Sequence, residues 1–203
     1  MNYIYASLIS YLFGTFNIAY IIAKAHGFDI RERGSKNAGA SNMKVNFGWG
    51  AGVLTAICDM AKSVIAIKLC SYLFPNDELI PFISGAMAII GHIFPFYMGF
   101  RGGKGFASYI GMVIGTNIKL ALVIAVLTII IALSTNYIVL GTFTVITVVP
   151  LYYIFTGARI EIILILLALA ALIFYKHRAN IVRLFHHEEM VIFDRSKKKE
   201  TKE

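Results

Sequence analysis

Three stretches of this 203-residue chain gather the residue types that handle anions. The first runs from Arg31 to Asn42 and reads RERGSKNAGASN. Glycines at 34 and 39 let the backbone turn tightly and bring N–H groups toward a ligand. Ser35, Asn37, Ser41 and Asn42 add short polar side chains, and Arg31, Arg33 and Lys36 add positive charge. The set suits a phosphate nest, and it equally suits a polar interfacial loop that touches lipid headgroups. The second stretch, GHIFPFYMGFRGGKG at 91–105, places glycines around Arg101 and Lys104 just before a helix expected from 106. It is not a nucleotide-binding P-loop, because Met98 stands where that motif needs glycine and Gly105 where it needs Ser or Thr. His92 reads either as a base or as a hydrogen-bonded structural histidine, with the structural reading favoured. The third stretch, KHRANIVRLFHHEE at 176–189, sets His177, Asn180 and Leu184 on one helical face and Arg183 and His187 on another. A basic amphipathic segment lying on the membrane would look the same.

The elements that must carry these stretches are apolar. Hydrophobic residues make up 58% of the chain and charged ones 15%, against about 25% in soluble domains, so the solvent is lipid. Most of the 19 Lys and Arg fall in 24–44, 101–104 and the tail from Lys176. A helix needs about 20 apolar residues to span the hydrocarbon. Residues 3–23, 47–74 and 79–99 supply three such segments, and 106–175 supplies four more. The breaks in the last region fall at 116–119, 134–137 and 156–159. The expectation is an all-α polytopic membrane protein of about seven spans, its N-terminus a retained span rather than a cleaved signal. Placing the basic segments inside puts the N-terminus outside and the C-terminus in the cytoplasm. Residues 1–194 read as one membrane domain and 195–203 as a charged, disordered tail. Within the second segment, Asp59 and Lys62 lie one turn apart, and charges at that depth pair with each other or face a polar cavity. Cys58 and Cys70 share one apolar segment and suggest no disulfide. No metal, cofactor or nucleic-acid partner is expected.

Taken together, the three stretches resemble the bacterial acyl-phosphate:glycerol-3-phosphate acyltransferases, the PlsY family of integral membrane enzymes. GSKNAGASN at 34–42 matches that family's G-S-G-N-x-G-A-T-N loop, with Asp29-Ile-Arg31 fitting upstream. GHIFPFYMGFRGGKGFAS at 91–108 matches its second motif and HRANIVRLFHHEE at 177–189 its third. The resemblance covers nearly the whole chain. It implies transfer of an acyl group from acyl phosphate to the 1-hydroxyl of glycerol 3-phosphate, giving lysophosphatidic acid and phosphate in phospholipid synthesis. It places the enzyme in the bacterial cell membrane with the site facing the cytoplasm. Acyl phosphate, glycerol 3-phosphate and membrane lipids are the implied partners, together with the peripheral enzyme that makes acyl phosphate. Catalysis would fall to Ser35, Lys104 and His177. Substrate binding would fall to Asn37, Asn42, Gly102, Gly103, Gly105, Thr142, Asn180 and Glu189.

The chain departs from that pattern at identifiable places. Lys36 and His187 replace glycines, and Val45 and Asn136 stand where arginine is usual. Val139 and Thr142 replace serines, and Ser63 replaces a glycine. These changes leave open a relative that acylates another phosphorylated alcohol, and a non-catalytic anion-binding or transport protein. Two other lipid-enzyme classes are excluded: neither His26 nor His92 has Asp five residues on, and Asp59 is the only aspartate in a span.

Overall fold

The computed structural model describes residues 1–193, so the tail at 195–203 lies outside the described residues. Every regular element of the described backbone is a helix, and the chain falls into two compact units, Met1–Ile118 and Lys119 onward.

The first unit opens with α1 (Asn2–Thr15) and α2 (Ile18–Ala25), one apolar segment interrupted at Phe16. Asn17 causes the break: it is extended, and its Oδ1 accepts the Tyr20 N–H at 2.9 Å, which caps α2. The interruption leaves the Phe16 carbonyl without a helical partner, and Lys62 Nζ donates to it at 2.8 Å. Short α3 (Ala40–Phe47) leads through Gly48 into α4 (Trp49–Leu73), which carries Asp59 and Lys62 on its buried side. Next, α5 (Ile80–Ile93) starts with Pro81 in its first turn and ends before Pro95 and a tight turn at Phe96–Met98. Helices α1 and α5 cross with backbone almost in contact. A side chain at Gly91 would overlap the Tyr11 carbonyl, so only a small residue permits the approach. Gly111 in α6 (Phe106–Thr116) does the same against Met60 of α4.

The second unit contains α7 (Ile118–Thr135, beginning at the boundary), α8 (Ile138–Phe155), α9 (Ile160–Lys176) and α10 (Arg178–Phe185). All three expected breaks are present, at Asn117, at Asn136–Tyr137 and at Thr156–Arg159. Helices α8 and α9 pack through Phe143 and Phe174, whose ring centroids lie 5.5 Å apart.

Four segments among the described residues are long and apolar enough to cross a membrane: Asn2–Ala25, Ile80–Met98, Ile118–Thr135 and Ile138–Phe155. A fifth joins them if α9 and α10, bent by 52°, form one span. All seven expected segments are helical, but two fail the test of a lipid-facing span. Helix α4 has the length and carries Asp59, Lys62 and Lys68, while α6 has only 11 residues, about 16 Å of rise.

Candidate functional site

The 31–42 loop is built around one side chain. Asn42, fully buried at the start of α3, shares the two N–H bonds of Nδ2 among the carbonyls of Ile30, Arg33 and Asn37 at 2.9–3.0 Å. Its Oδ1 accepts the Ser35 N–H at 2.8 Å. A side chain at Gly34 would overlap that oxygen, so the glycine is a condition of the bond. Asn42 is therefore occupied inside the loop, holding Ser35 and Asn37, both half-buried, at the rim. Lys36 sits between them with φ +56, and His187, the other replaced glycine, has φ +58.

The 101–105 loop folds back on the end of α5. Gly102 N–H donates to the Ile93 carbonyl at 3.0 Å and Gly103 N–H to the His92 carbonyl at 3.1 Å. Those two amides are committed to capping α5. The glycines serve close approach instead, since a side chain at either would strike His92. Gly105 has φ +93 and starts α6, so half-buried Lys104 stands at a helix N-terminus, where backbone N–H groups and the helix dipole favour an anion.

Arg31 joins the two loops. Its Nε and Nη2 fork onto Asp29 at 2.9 and 2.7 Å, and its Nη1 donates to the Met98 carbonyl and to the Arg101 carbonyl at 3.2 Å. The Arg31 hydrogen bond holds the Asp29 carboxyl below its ordinary range, and Asp29 in turn raises the guanidinium. Of the other cations expected to serve a ligand here, Arg33 lies over the Phe28 ring at 3.9 Å. Beside Val45, which is exposed, Lys44 Nζ lies over the Trp49 ring at 3.8 Å, and burial lowers its pKa. Next to the loops an apolar groove of about 570 Å³ is lined by Leu12, Phe16, Ile21 and Phe96, with Tyr20 and Lys24 at its polar end.

In the second unit, buried His177 ends α9, its Nδ1 bonded to the Ile173 carbonyl at 2.8 Å. If that nitrogen carries the proton, the lone pair of the neutral ring is on Nε2. Asn180 Nδ2 donates to Glu189 Oε1 at 2.7 Å, and Arg183 Nε to Oε2 at 3.0 Å, so the buried Glu189 carboxylate is paired. Arg183 Nη2 is buried and makes no hydrogen bond among the described residues. Thr142 is buried in the first turns of α8, and the adjacent Phe143 ring meets His177 edge-on. Asn136 binds the segment beyond Glu189: its Nδ2 donates to the Phe193 carbonyl at 3.0 Å, and its Oδ1 accepts the Phe193 N–H at 2.9 Å.

The first unit thus brings Ser35, Asn37 and Asn42 together in one loop and Gly102 to Gly105 in another. In the second, Asn180 and Arg183 meet on Glu189, and the Asn180 N–H bonds the His177 carbonyl at 2.8 Å. His92 is structural in this arrangement, sharing a buried cluster with Asp59 and Lys62. Sequence reasoning did not single out Asn17, whose Nδ2 donates to the Ala38 carbonyl of the first loop at 3.1 Å. A lone asparagine within an apolar span was the available signal.

Residues 4–187 match the family described as Glycerol-3-phosphate acyltransferase. The chain is 34% identical over 198 residues to Glycerol-3-phosphate acyltransferase 1 of Oceanobacillus iheyensis, covering 93% of this chain and 94% of that one. It is 34% identical to the Clostridioides difficile glycerol-3-phosphate acyltransferase over 196 residues, 94% and 96% of the two chains. Among solved structures it resembles PlsY, an integral membrane glycerol 3-phosphate acyltransferase. The glycerol 3-phosphate form superposes with a TM-score of 0.87 at 29% identity, covering 95% of this chain and 96% of that one. The lysophosphatidic acid form gives 0.84 at 28% identity, with the same coverage.

Proposed function

The chain belongs to the glycerol-3-phosphate acyltransferase family, and from that premise we propose that it acylates glycerol 3-phosphate to lysophosphatidic acid with acyl phosphate as donor, at the cytoplasmic face. It is an integral, multi-pass membrane enzyme of lipid synthesis. The 1-hydroxyl oxygen attacks the acyl carbonyl, the carbonyl–phosphate C–O bond breaks, and inorganic phosphate leaves. The proton goes to a substrate phosphate, since no side chain is assigned as general base.

The single observation that carries the reading is the pair of interlocked loops at 31–42 and 101–105, joined by Arg31. Fixed donors aimed at developing charge are the main catalytic contribution in such a site, and holding two substrates together adds the rest. Ser35 and Asn37 face the donor's phosphate or carbonyl. Lys104 and the start of α6 hold a phosphate, while Asn42, Gly102 and Gly103 shape the loops rather than touch substrate. The apolar groove suits the acyl chain. His177, Asn180 and Thr142 take the acceptor, with Glu189 orienting Asn180. Arg183 joins them, because its buried Nη2 is a cationic donor with no hydrogen-bond acceptor among the described residues.

The test is lysophosphatidic acid formation by the purified protein in lipid, supplied with acyl phosphate and labelled glycerol 3-phosphate. Product is expected from the parent and at least a hundredfold less from Lys104→Ala, the loss of one charge-assisted donor being worth about 2.7–4 kcal/mol. A well-folded parent that acylates only other phosphorylated alcohols, or none, overturns the acceptor assignment.

A further inference from the structure

We propose that His92 is a positioning residue: held from below by Lys62 and Asp59, its imidazole sets the backbone path of the 101–105 loop at Gly103. The inference rests on the reading of that loop as a phosphate holder.

The geometry begins at the ammonium of Lys62. Its Nζ makes three contacts, each at 2.8 Å, with Asp59 Oδ1, the Phe16 carbonyl and His92 Nδ1. An ammonium has three N–H bonds, and these three partners account for all of them. Asp59 Oδ1 also lies 3.2 Å from His92 Nδ1. Lys62, Asp59 and His92 are each at least 96% buried, so every polar atom there must be matched within the protein. With Nδ1 at Lys62, the opposite edge of the ring carries Nε2 and Cε1. That is the edge turned toward the loop.

There the ring meets Gly103. A Cβ on that residue would overlap Nε2 and Cε1 of His92 and would stand 3.0 Å from the Ala38 carbonyl oxygen. The two neighbours differ in what they allow. A carbonyl at 3.0 Å can yield by a few tenths of an ångström, whereas the ring is held at Nδ1 by Lys62, which Asp59 anchors in turn. Gly103 is therefore wedged between the imidazole and the first loop, whose Ala38 carbonyl is held by Asn17. Gly103 N–H also caps the His92 carbonyl, so the residue supports the loop from both backbone and side chain. Phe16, Lys62, Asp59, His92 and Gly103 thus form one buried support running from the break in the first span to the phosphate loop. Asn17 and Ala38 extend it to the other loop. Support of this kind keeps substrate-holding groups within the small tolerance that catalysis requires.

The test is a double-mutant cycle on Gly103→Ala and His92→Asn, read by melting temperature in detergent and by kinetics in lipid. The asparagine amide keeps a polar atom near the Nδ1 position, preserving the contact to Lys62, and withdraws the end that touches Gly103. His92→Gln, which extends an amide toward Nε2, is the control that retains the loop contact. Gly103→Ala is expected to lower the melting temperature and raise KM for glycerol 3-phosphate or acyl phosphate about tenfold in the parent. In the His92→Asn background it should lower the melting temperature by less than half as much and change KM less than twofold, because the clash has gone. His92→Asn alone should raise KM with kcat within about threefold, and His92→Gln should restore most of that KM. Additive losses in both readouts, or a fall in kcat at constant KM, would overturn the assignment. If the parent makes no lysophosphatidic acid, the acyltransferase reading fails, while the melting-temperature cycle still decides whether His92 and Gly103 are coupled.

Discussion

At position 45 this chain carries valine where the family it belongs to usually has arginine. Val45 is exposed on α3, and the neighbouring Lys44 lies over Trp49 rather than out in its place. If the missing arginine binds phosphate, Val45→Arg adds one charge-assisted hydrogen bond, worth about 1.5–3 kcal/mol. The variant is expected to raise kcat/KM for glycerol 3-phosphate by at least tenfold in the labelled-substrate assay. No gain would mean that side chains at 45 do not reach the substrate in this chain. A second departure concerns strain. Lys36 occupies the left-handed region at φ +56, which costs a residue with a Cβ roughly 1–2 kcal/mol relative to glycine. Lys36→Gly relieves that strain and gives back about half through the greater freedom of the unfolded chain. The expected net gain is about 0.5–1 kcal/mol, read as a higher melting temperature. Lys36→Ala removes the same charge and keeps the strain, so it should show no gain. The sequence marked Lys36 as bulk at a turn, and the structure adds the sign of its backbone angle.

Among the elements, the turn between α7 and α8 makes the most specific contact in the second unit. Asn136 has φ +66, which asparagine tolerates better than most residues, and its amide pairs with both backbone groups of Phe193. The Ile192 N–H adds a bond to the Asn136 carbonyl at 3.0 Å. This clamp fixes the strand of chain that follows Glu189. Asn136→Ala removes the two side-chain bonds, at about 1 kcal/mol each for exposed groups, so hydrogen exchange at Phe193 should accelerate at least fivefold. Asn136→Arg should accelerate it equally, because a guanidinium cannot accept the Phe193 N–H. Unchanged exchange in both would show that the backbone bond alone holds the segment. Such contacts explain what the sequence revealed and what it hid. The three breaks between 106 and 175 were legible because polar residues interrupt a long apolar run. The break at Phe16 was not, because one asparagine amid apolar residues leaves the hydropathy almost unchanged. The internal occupation of Asn42 was hidden for another reason: its partners depend on a loop path that composition does not specify. The Asp59–Lys62 pair was legible from its spacing, while His92 joined it only through packing of α4 against α5.

For the whole molecule, the family and helical class were legible because three motifs in order sit on a nearly continuous apolar pattern. The number of crossings was less so, since the length criterion admits four or five spans and the parity of the basic segments asks for seven. The difference turns largely on α6. Eleven residues rise about 16 Å, roughly half the hydrocarbon thickness, so α6 can complete a crossing only by packing against protein, as its close contact with α4 allows. Single cysteines at three exposed positions, introduced after Cys58 and Cys70 are replaced by alanine, decide the matter with an impermeant maleimide in sealed vesicles. Ser41→Cys should label only in inside-out vesicles, and Asn76→Cys, in the turn after α4, only in right-side-out ones. Glu188→Cys is the deciding probe, because four crossings between Gly105 and Lys176 return it to the side of Ser41, and three place it opposite. Labelling with Ser41 is expected, because the positive-inside rule places both the 24–44 segment and the tail from Lys176 in the cytoplasm. Labelling with Asn76 instead would put the His177–Glu189 segment outside. Asn180 and Arg183 would then lie away from the compartment proposed for the reaction and would lose their place in it.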